Sequence, residues 1–220
     1  IYASSKFGLD SGFEEFWELS IDWEFREGRQ LRADQVNARV FPWLEAHSDE
    51  KFFLYLHYFD PHWNYEPPAP FDEKFTDPSY EGPADGTWLY MQKFVSKKRL
   101  LKPDELEECV GLYDGEVAFT DHHLGRLFDR LRELDMWHDT LLVLVADHGD
   151  ELQEHDSVGH QRTLYDEVIH VPLVVKLPGG RPSDVRARVQ ERVRNIDVAP
   201  TVAQLARLEM PPDFSGSTLV

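Results

Sequence analysis

The sequence predicts an α/β fold built on a mostly parallel sheet, and three observations carry that expectation. The first is Leu141 to Gly149, LLVLVADHG, in which six uninterrupted apolar residues run straight into Asp147, His148 and a glycine. A short run rich in Leu and Val, without period-two alternation, reads as a strand buried on both faces of a parallel sheet. The second is Lys51 to Tyr58, KFFLYLHY, an aromatic-rich strand candidate that also ends in chemistry, at Phe59, Asp60, Pro61 and His62. The third is helical periodicity between and around these runs, most plainly from Lys102 to Leu134. In open α/β sheets the loops at the carboxyl edge of the strands splay apart and leave a crevice for ligands. Residues such as Asp147 and His148, placed there, are therefore candidates for a site.

In chain order, Gly8 to Phe16 is a turn-rich opening and Trp17 to Phe25 an aromatic, partly alternating stretch. Ala33 to His47 places Val36, Val40, Trp43 and Leu44 at helical spacing, with Pro42 expected to kink or split the helix. Pro67, Pro68, Pro70, Pro78 and Pro83 crowd Asn64 to Asp85, a density that predicts a surface excursion of the kind that lines pockets. From Lys102 to Leu134, Leu106, Val110, Tyr113, Val117, Leu124, Leu127, Leu131 and Leu134 form an apolar stripe. Pro103 suits the first turn, and Asp104 and Glu105 complement the helix dipole. Gly111, Gly115 and Gly125 each cost up to ~1 kcal/mol relative to Ala, so a break is open there. His122 and His123 read as structural, and His57 as a core histidine within its strand.

After the central run, Asp150 to Gly159 is an acidic loop, with His155 and Asp156 read as solvated, and His160 follows it. Thr163 to Ile169 is a short helix candidate. Val171 to Leu177 is a strand closed by Pro178, Gly179 and Gly180. Arg186 to Arg194 is most simply an exposed edge strand. Asp197 to Leu208 is a last amphipathic helix with Asp197 as N-cap and Pro200 in its first turn.

Composition bounds the function. With 41% hydrophobic and 13% aromatic residues in 220, the chain has enough apolar material for a globular core. No apolar run approaches the ~20 residues of a membrane span, and the first residues lack a signal-peptide layout. A single cysteine, Cys109, excludes an internal disulfide framework and a CxxC metal knuckle. The net charge of −18 argues against nucleic acid as a partner, because phosphate binding rests on clustered Lys and Arg. An anionic substrate would meet the same repulsion, so a metal and imidazolium groups would have to supply local positive potential. Phosphate loops, dinucleotide fingerprints, HExxH and GxSxG elbows are all absent. A carboxylate beside an imidazole suits a divalent cation, so Asp147 and His148 read as half of a metal site; taken alone, the dipeptide reads more readily as a solvated turn, and the rest of the chain reverses that order.

Four ordered segments carry a resemblance: FFLYLHYFDPHWNYEPPAPF, YDGEVAFTDHHLGRLFDRL, DTLLVLVADHGDELQEHDSVGHQRTLYDEVIHVPLVVKLPG and IDVAPTVAQLARL. In order and spacing they resemble the later part of a sulfatase domain of the alkaline phosphatase superfamily. The resemblance implies a sheet with helices on both faces and a divalent cation at its carboxyl edge, usually Ca2+, with Mn2+ or Zn2+ as alternatives. Asp147 and His148 match the family's second pair of metal ligands. His62 matches the histidine of its x-P-H motif, which contacts the sulfuryl group or assists the leaving oxygen. His160 falls where many members carry a Lys, so activity is expected to depend more on pH. His62, Asp147 and His160 are then expected to share one concavity. The implied substrate is an anionic small-molecule or carbohydrate sulfate ester, and a periplasmic or extracellular location fits the family.

Two departures accompany the resemblance. The C/S-x-P-x-R motif, whose cysteine or serine becomes the formylglycine nucleophile, has no match, and the first Asp pair of the metal site is missing as well. Residues 1–220 are therefore expected to be the downstream part of a sulfatase-type domain, N-terminally incomplete and inactive alone. Two further readings stand beside sulfate ester hydrolysis. One is a phosphodiesterase, phosphonate monoester hydrolase or phosphoethanolamine transferase of the same superfamily, favoured by Asp147-His148; the other is a non-catalytic remnant.

Overall fold

Two units, each with its own packing, make up the chain in the computed structural model: Ile1–Lys93 with Leu101–Leu134, and Phe94–Leu100 with Asp135–Val220. Residues 4–18, 31–95, 99–160, 162–179, 188–210 and 213–220 are described.

The first unit is organised by two helices, α1 (Ala33–Ala46) and α3 (Pro103–Glu133), with the short α2 (Trp88–Met91) between them in sequence. α1 buries Val36, Val40 and Leu44, the spacing expected of one apolar face. Pro42 does not split it. The N–H that proline lacks would bond the carbonyl of Ala38, and both residues are exposed, so that carbonyl can turn to solvent. Buried Asn37 ties α1 to its neighbours: its amide donates to the His123 carbonyl at 2.7 Å and its Oδ1 accepts from the Tyr58 hydroxyl at 2.7 Å.

α3 runs unbroken for 31 residues, started by Pro103 and by Glu105, whose carboxylate accepts from the Lys102 N–H at 3.0 Å. Its buried face follows the apolar stripe in the C-terminal half, at Leu127 and Leu131, and is rotated from it in the N-terminal half. Glu105, Cys109, Gly115, Glu116 and Phe119 are buried, whereas Val117 is exposed. The reason is the proline-rich segment, which packs against this face instead of standing off in solvent. A Cβ on Gly111 would lie 2.5 Å from the Phe75 carbonyl oxygen, and one on Gly115 2.6 Å from that of Phe71. These glycines admit a neighbouring backbone; they do not break the helix. Tyr65 and Trp63 are buried beside this segment, with the Trp63 indole N–H donating to the Tyr65 hydroxyl at 2.5 Å.

Residues 51–58 carry no regular secondary structure; they alternate between exposed and half-buried and form no ladder among the described residues. Phe53 and Tyr55 stand 66% and 62% exposed, and His57 is exposed rather than a core residue. An apolar, aromatic-rich run signals strand-forming residues; it does not supply the partner strand.

The second unit contains two antiparallel pairs. β1 (Leu142–Val145) pairs with β4 (Leu173–Lys176), Leu142 opposite Lys176 and Val145 opposite Leu173. β2 (Glu151–Leu152) and β3 (Val158–Gly159) form a small hairpin. Both pairings depart from the expected parallel sheet, since an apolar run encodes burial and not strand direction, and no parallel pair forms among the described residues. Among the described residues β1 has a ladder neighbour on one side only, and Val145 is exposed instead of buried on both faces. Residues 188–194 form no strand, correcting the expected edge strand, and Arg186 lies outside the described residues, as does most of the Trp17 to Phe25 stretch.

α4 (Asp166–Ile169) and α5 (Val198–Leu205) complete this unit. Asp197 precedes α5 but does not cap it with its side chain. Its carboxylate instead accepts from the Arg194 guanidinium at 2.9 Å and the Ser217 N–H at 2.9 Å, which pulls its pKa down to about 2. Among the described residues no helix is long and apolar enough to cross a membrane.

Candidate functional site

The end of β1 delivers the chain into a tight crossing. The Gly149 N–H donates to the Val168 carbonyl at 2.8 Å, and a Cβ at Gly149 would sit 2.1 Å from the Glu167 carbonyl oxygen, so only glycine fits. Held by this crossing, His148 and Asp150 stand on either side of Gly149, and the β2–β3 hairpin returns the chain to His160.

His148, Asp150 and His160 bring ligand-type atoms within 4.8 Å of one another. His160 Nδ1 lies 2.6 Å from Asp150 Oδ1, with only 12% and 5% of the two side chains exposed. The His148 and His160 rings face each other with centroids 3.9 Å apart. His148 Nδ1 lies 3.0 Å from the Gly149 carbonyl oxygen. A carbonyl only accepts, so that nitrogen carries the proton and Nε2 carries the lone pair suited to a cation. The same logic makes His160 Nδ1 the donor to Asp150, a carboxylate that fixes the ring's orientation.

Asp147 is placed differently. Its side chain is 81% exposed, with Oδ1 accepting from the His148 N–H at 3.0 Å and Oδ2 3.9 Å from His148 Nε2. It borders the three-residue group without belonging to it. Asp150 is the member that sequence reasoning passed over, as one carboxylate among several in an acidic loop; its place one residue beyond the Asp-His-Gly turn was the available signal. His148 and His160 also line a cavity of about 350 Å³ with Arg162, Thr163, Leu164 and Val168. Arg162 adds a permanent cation to that wall.

His62 belongs to the first unit, where it is half-buried. Its Nδ1 lies 3.0 Å from the Trp63 carbonyl oxygen and its ring 4.5 Å from that of Phe59, which fixes the tautomer with the proton on Nδ1. Close by in sequence, Asp60 accepts from the Ala33 N–H at 2.8 Å, and Glu116 accepts from the Glu66 N–H at 2.9 Å. Burial, then the neighbouring Asp60 charge, push the Glu116 carboxyl up to about 8; burial raises Asp60 as well. Cys109 is buried against Met91, and burial pushes its thiol up to about 12, so it is no nucleophile near neutral pH.

Comparison with known proteins places these observations. The chain is 22% identical over 219 residues to an arylsulfatase of Clostridium perfringens, covering 96% of this chain and 45% of that protein. Among solved structures it resembles the phosphonate monoester hydrolase of Silicibacter pomeroyi, with a TM-score of 0.64 and 26% identity over 86% of this chain and 41% of the other. A third likeness is in fold alone, to BT4656, solved in complex with its substrate D-glucosamine-2-N,6-O-disulfate, at TM-score 0.62 and 19% identity, covering 88% of this chain and 52% of that one. The chain thus spans about half the length of these relatives or less. The sulfatase family model matches residues 6–208, which take in α1, α3, the Asp-His-Gly turn and α5 alike. A match that runs through both units makes this chain a member of the sulfatase family, within the alkaline phosphatase superfamily.

Proposed function

We propose that the intact protein hydrolyses sulfate esters, and that this chain supplies part of the cation site and the groups that hold and protonate the ester. The observation that carries this reading is the group His148, Asp150 and His160, whose two histidines line a cavity that also presents Arg162. Two imidazoles and a carboxylate fit a divalent cation, with His148 common to this group and to the Asp147-His148 pair implied by the family resemblance. Ca2+ takes oxygen donors, whereas imidazole suits Mn2+ or Zn2+, so the donor set favours the latter two. When bound, such a cation supplies positive potential to the non-bridging oxygens of the ester.

The chain's own residues do the rest. Arg162 offsets the −18 background where an anion would enter. Asp150 accepts from His160 Nδ1 and so holds that ring in one orientation, leaving Nε2 as its ligand atom. His62, with its Nδ1 proton held by the Trp63 carbonyl, would give the leaving oxygen a second proton, carried on Nε2 by the imidazolium form, and return to the neutral ring with the lone pair on Nε2. The nucleophile, formylglycine by family resemblance, comes from residues outside this chain, as do strands that would complete a parallel sheet; these 220 residues alone are inactive in this reading. Substrates of the carbohydrate sulfate class are consistent with the relative solved on a disulfated glucosamine.

The test is turnover of 4-nitrophenyl sulfate by the intact protein. His62→Ala and His160→Gln should each lower kcat/KM by ~100 to 10,000-fold, the range for lost acid–base or charge-stabilising groups, with the fold retained by circular dichroism. Variants as active as the wild type would remove both roles. A second reading, phosphonate monoester hydrolysis, is favoured by Asp147-His148 and by the Silicibacter pomeroyi likeness. Turnover of a 4-nitrophenyl phosphonate with no turnover of the sulfate would replace the first reading by the second.

A further inference from the structure

A second cluster of ligand-type side chains lies apart from the His148 group in membership, although the two are adjacent in sequence. Glu151, His155 and Glu167 bring one ligand-type atom each within 4.8 Å of one another. His155 is exposed in the loop between β2 and β3, as expected, yet it is engaged there: its Nδ1 lies 2.5 Å from Glu167 Oε1 and its ring stacks on Tyr165 at 3.5 Å. Glu151 is the unusual member. It is 1% exposed, its Oε2 accepts from the Thr163 hydroxyl at 3.0 Å, and its Oε1 is buried with no hydrogen-bond partner. Leaving a buried carboxylate oxygen unsatisfied is costly, so it needs either a proton or a cation. Two carboxylates facing one imidazole carry excess negative charge if both are ionised, and that arrangement calls for a cation.

We propose that Glu151, His155 and Glu167 form a second divalent-cation site, of the Zn2+ or Mn2+ class, that pins the β2–β3 hairpin to α4. One imidazole with two carboxylates is a donor set such ions accept, with coordination positions left over for solvent. The stacked Tyr165 and the Glu167 contact hold His155 in place, and the Thr163 hydroxyl orients Glu151. Glu151 and His155 come from the hairpin and Glu167 from the helix, so the ion would close a loop that also carries Asp150 and His160. Its role would be to position those two residues; it would touch no ester.

Zinc stoichiometry in the intact protein tests this without relying on turnover. The protein is stripped with chelator, dialysed against Zn2+ and assayed by elemental analysis, with a His148→Ala/His160→Ala background used to disable the other centre. In that background one equivalent of Zn2+ should remain, and adding His155→Ala with Glu167→Gln should abolish it. Both of those residues reach the surface, so the added pair should keep the fold, checked by circular dichroism, whereas Glu151→Gln in the core is the riskier variant. Co2+ in place of Zn2+ should give a visible spectrum that changes on His155→Ala. No zinc in the double-alanine background, or zinc retained after His155 and Glu167 are replaced, would overturn the site and leave the sulfate ester reading untouched.

Discussion

Glu116 shows how much a single buried acid can set the behaviour of this protein. Its carboxyl, pushed up to about 8 by burial and by Asp60, keeps a proton through the neutral range. A carboxyl raised in the folded state is costless to stability below its ordinary pKa of about 4.5 and becomes a growing penalty as pH rises to about 8. Thermal stability should therefore fall between those limits and level off above them. Glu116→Gln keeps an oxygen for the Glu66 N–H and offers Asp60 an N–H in place of the shared proton. It should flatten that slope and raise the melting temperature by several degrees at pH 8.5, with little change at pH 5. Melting curves on both proteins check it; an unchanged slope would mean that the pair is not the source. Asp197 has the opposite sign. Its carboxyl, held down by Arg194 and Ser217, contributes stability above about 4 that is lost only as pH falls towards 2.

At the scale of elements, two glycines of α3 separate helix propensity from packing. Gly125 has open space around it, so Gly125→Ala should stabilise by up to ~1 kcal/mol, the ordinary propensity gain. At Gly115 the added Cβ would meet the Phe71 carbonyl oxygen at 2.6 Å and Pro67 at 2.8 Å, so Gly115→Ala should destabilise despite the same gain, by ~1 to 3 kcal/mol as overpacking does. Chemical denaturation of the two variants decides it, and a stabilised Gly115→Ala would refute the close packing of the proline-rich segment. What the sequence made legible follows the same line. α1, α3, β1 and β4 were readable because periodicity and apolar runs are local properties. The antiparallel pairing of β1 with β4 was not, since direction depends on residues 30 positions away. Nor was the burial of Glu105, Glu116 and Glu151. In a chain with 41 acidic residues, a buried carboxylate looks like any other until its neighbours are placed. For the candidate site, spacing and family resemblance pointed to His148 and His160 as candidates, whereas Asp150 and the Glu151 cluster stand out only once the hairpin geometry brings their ligand-type atoms together.

For the molecule as a whole, the segment at residues 51–58 leaves Phe53 and Tyr55 exposed, and Val145 and Val174 on the β1–β4 pair are exposed as well. Exposed apolar side chains without a full set of ladder neighbours invite association. Prepared as these 220 residues alone, the protein should self-associate and bind a hydrophobic dye, and Phe53→Lys should reduce both effects. Sedimentation velocity tests this; a monodisperse monomer with no dye binding would show that these surfaces are covered or inert.

The hairpin after Gly149 places Asp150 in one ligand group and Glu151, its immediate neighbour, in the other. Successive residues of an extended chain point to opposite sides, so one peptide bond there joins the two groups of ligand-type side chains. Evolution cannot lengthen or shorten the chain at that bond for the benefit of one centre without misaligning the other. Insertions should be tolerated at the hairpin tip, around Gln153 to Asp156, far better than between Gly149 and Glu151.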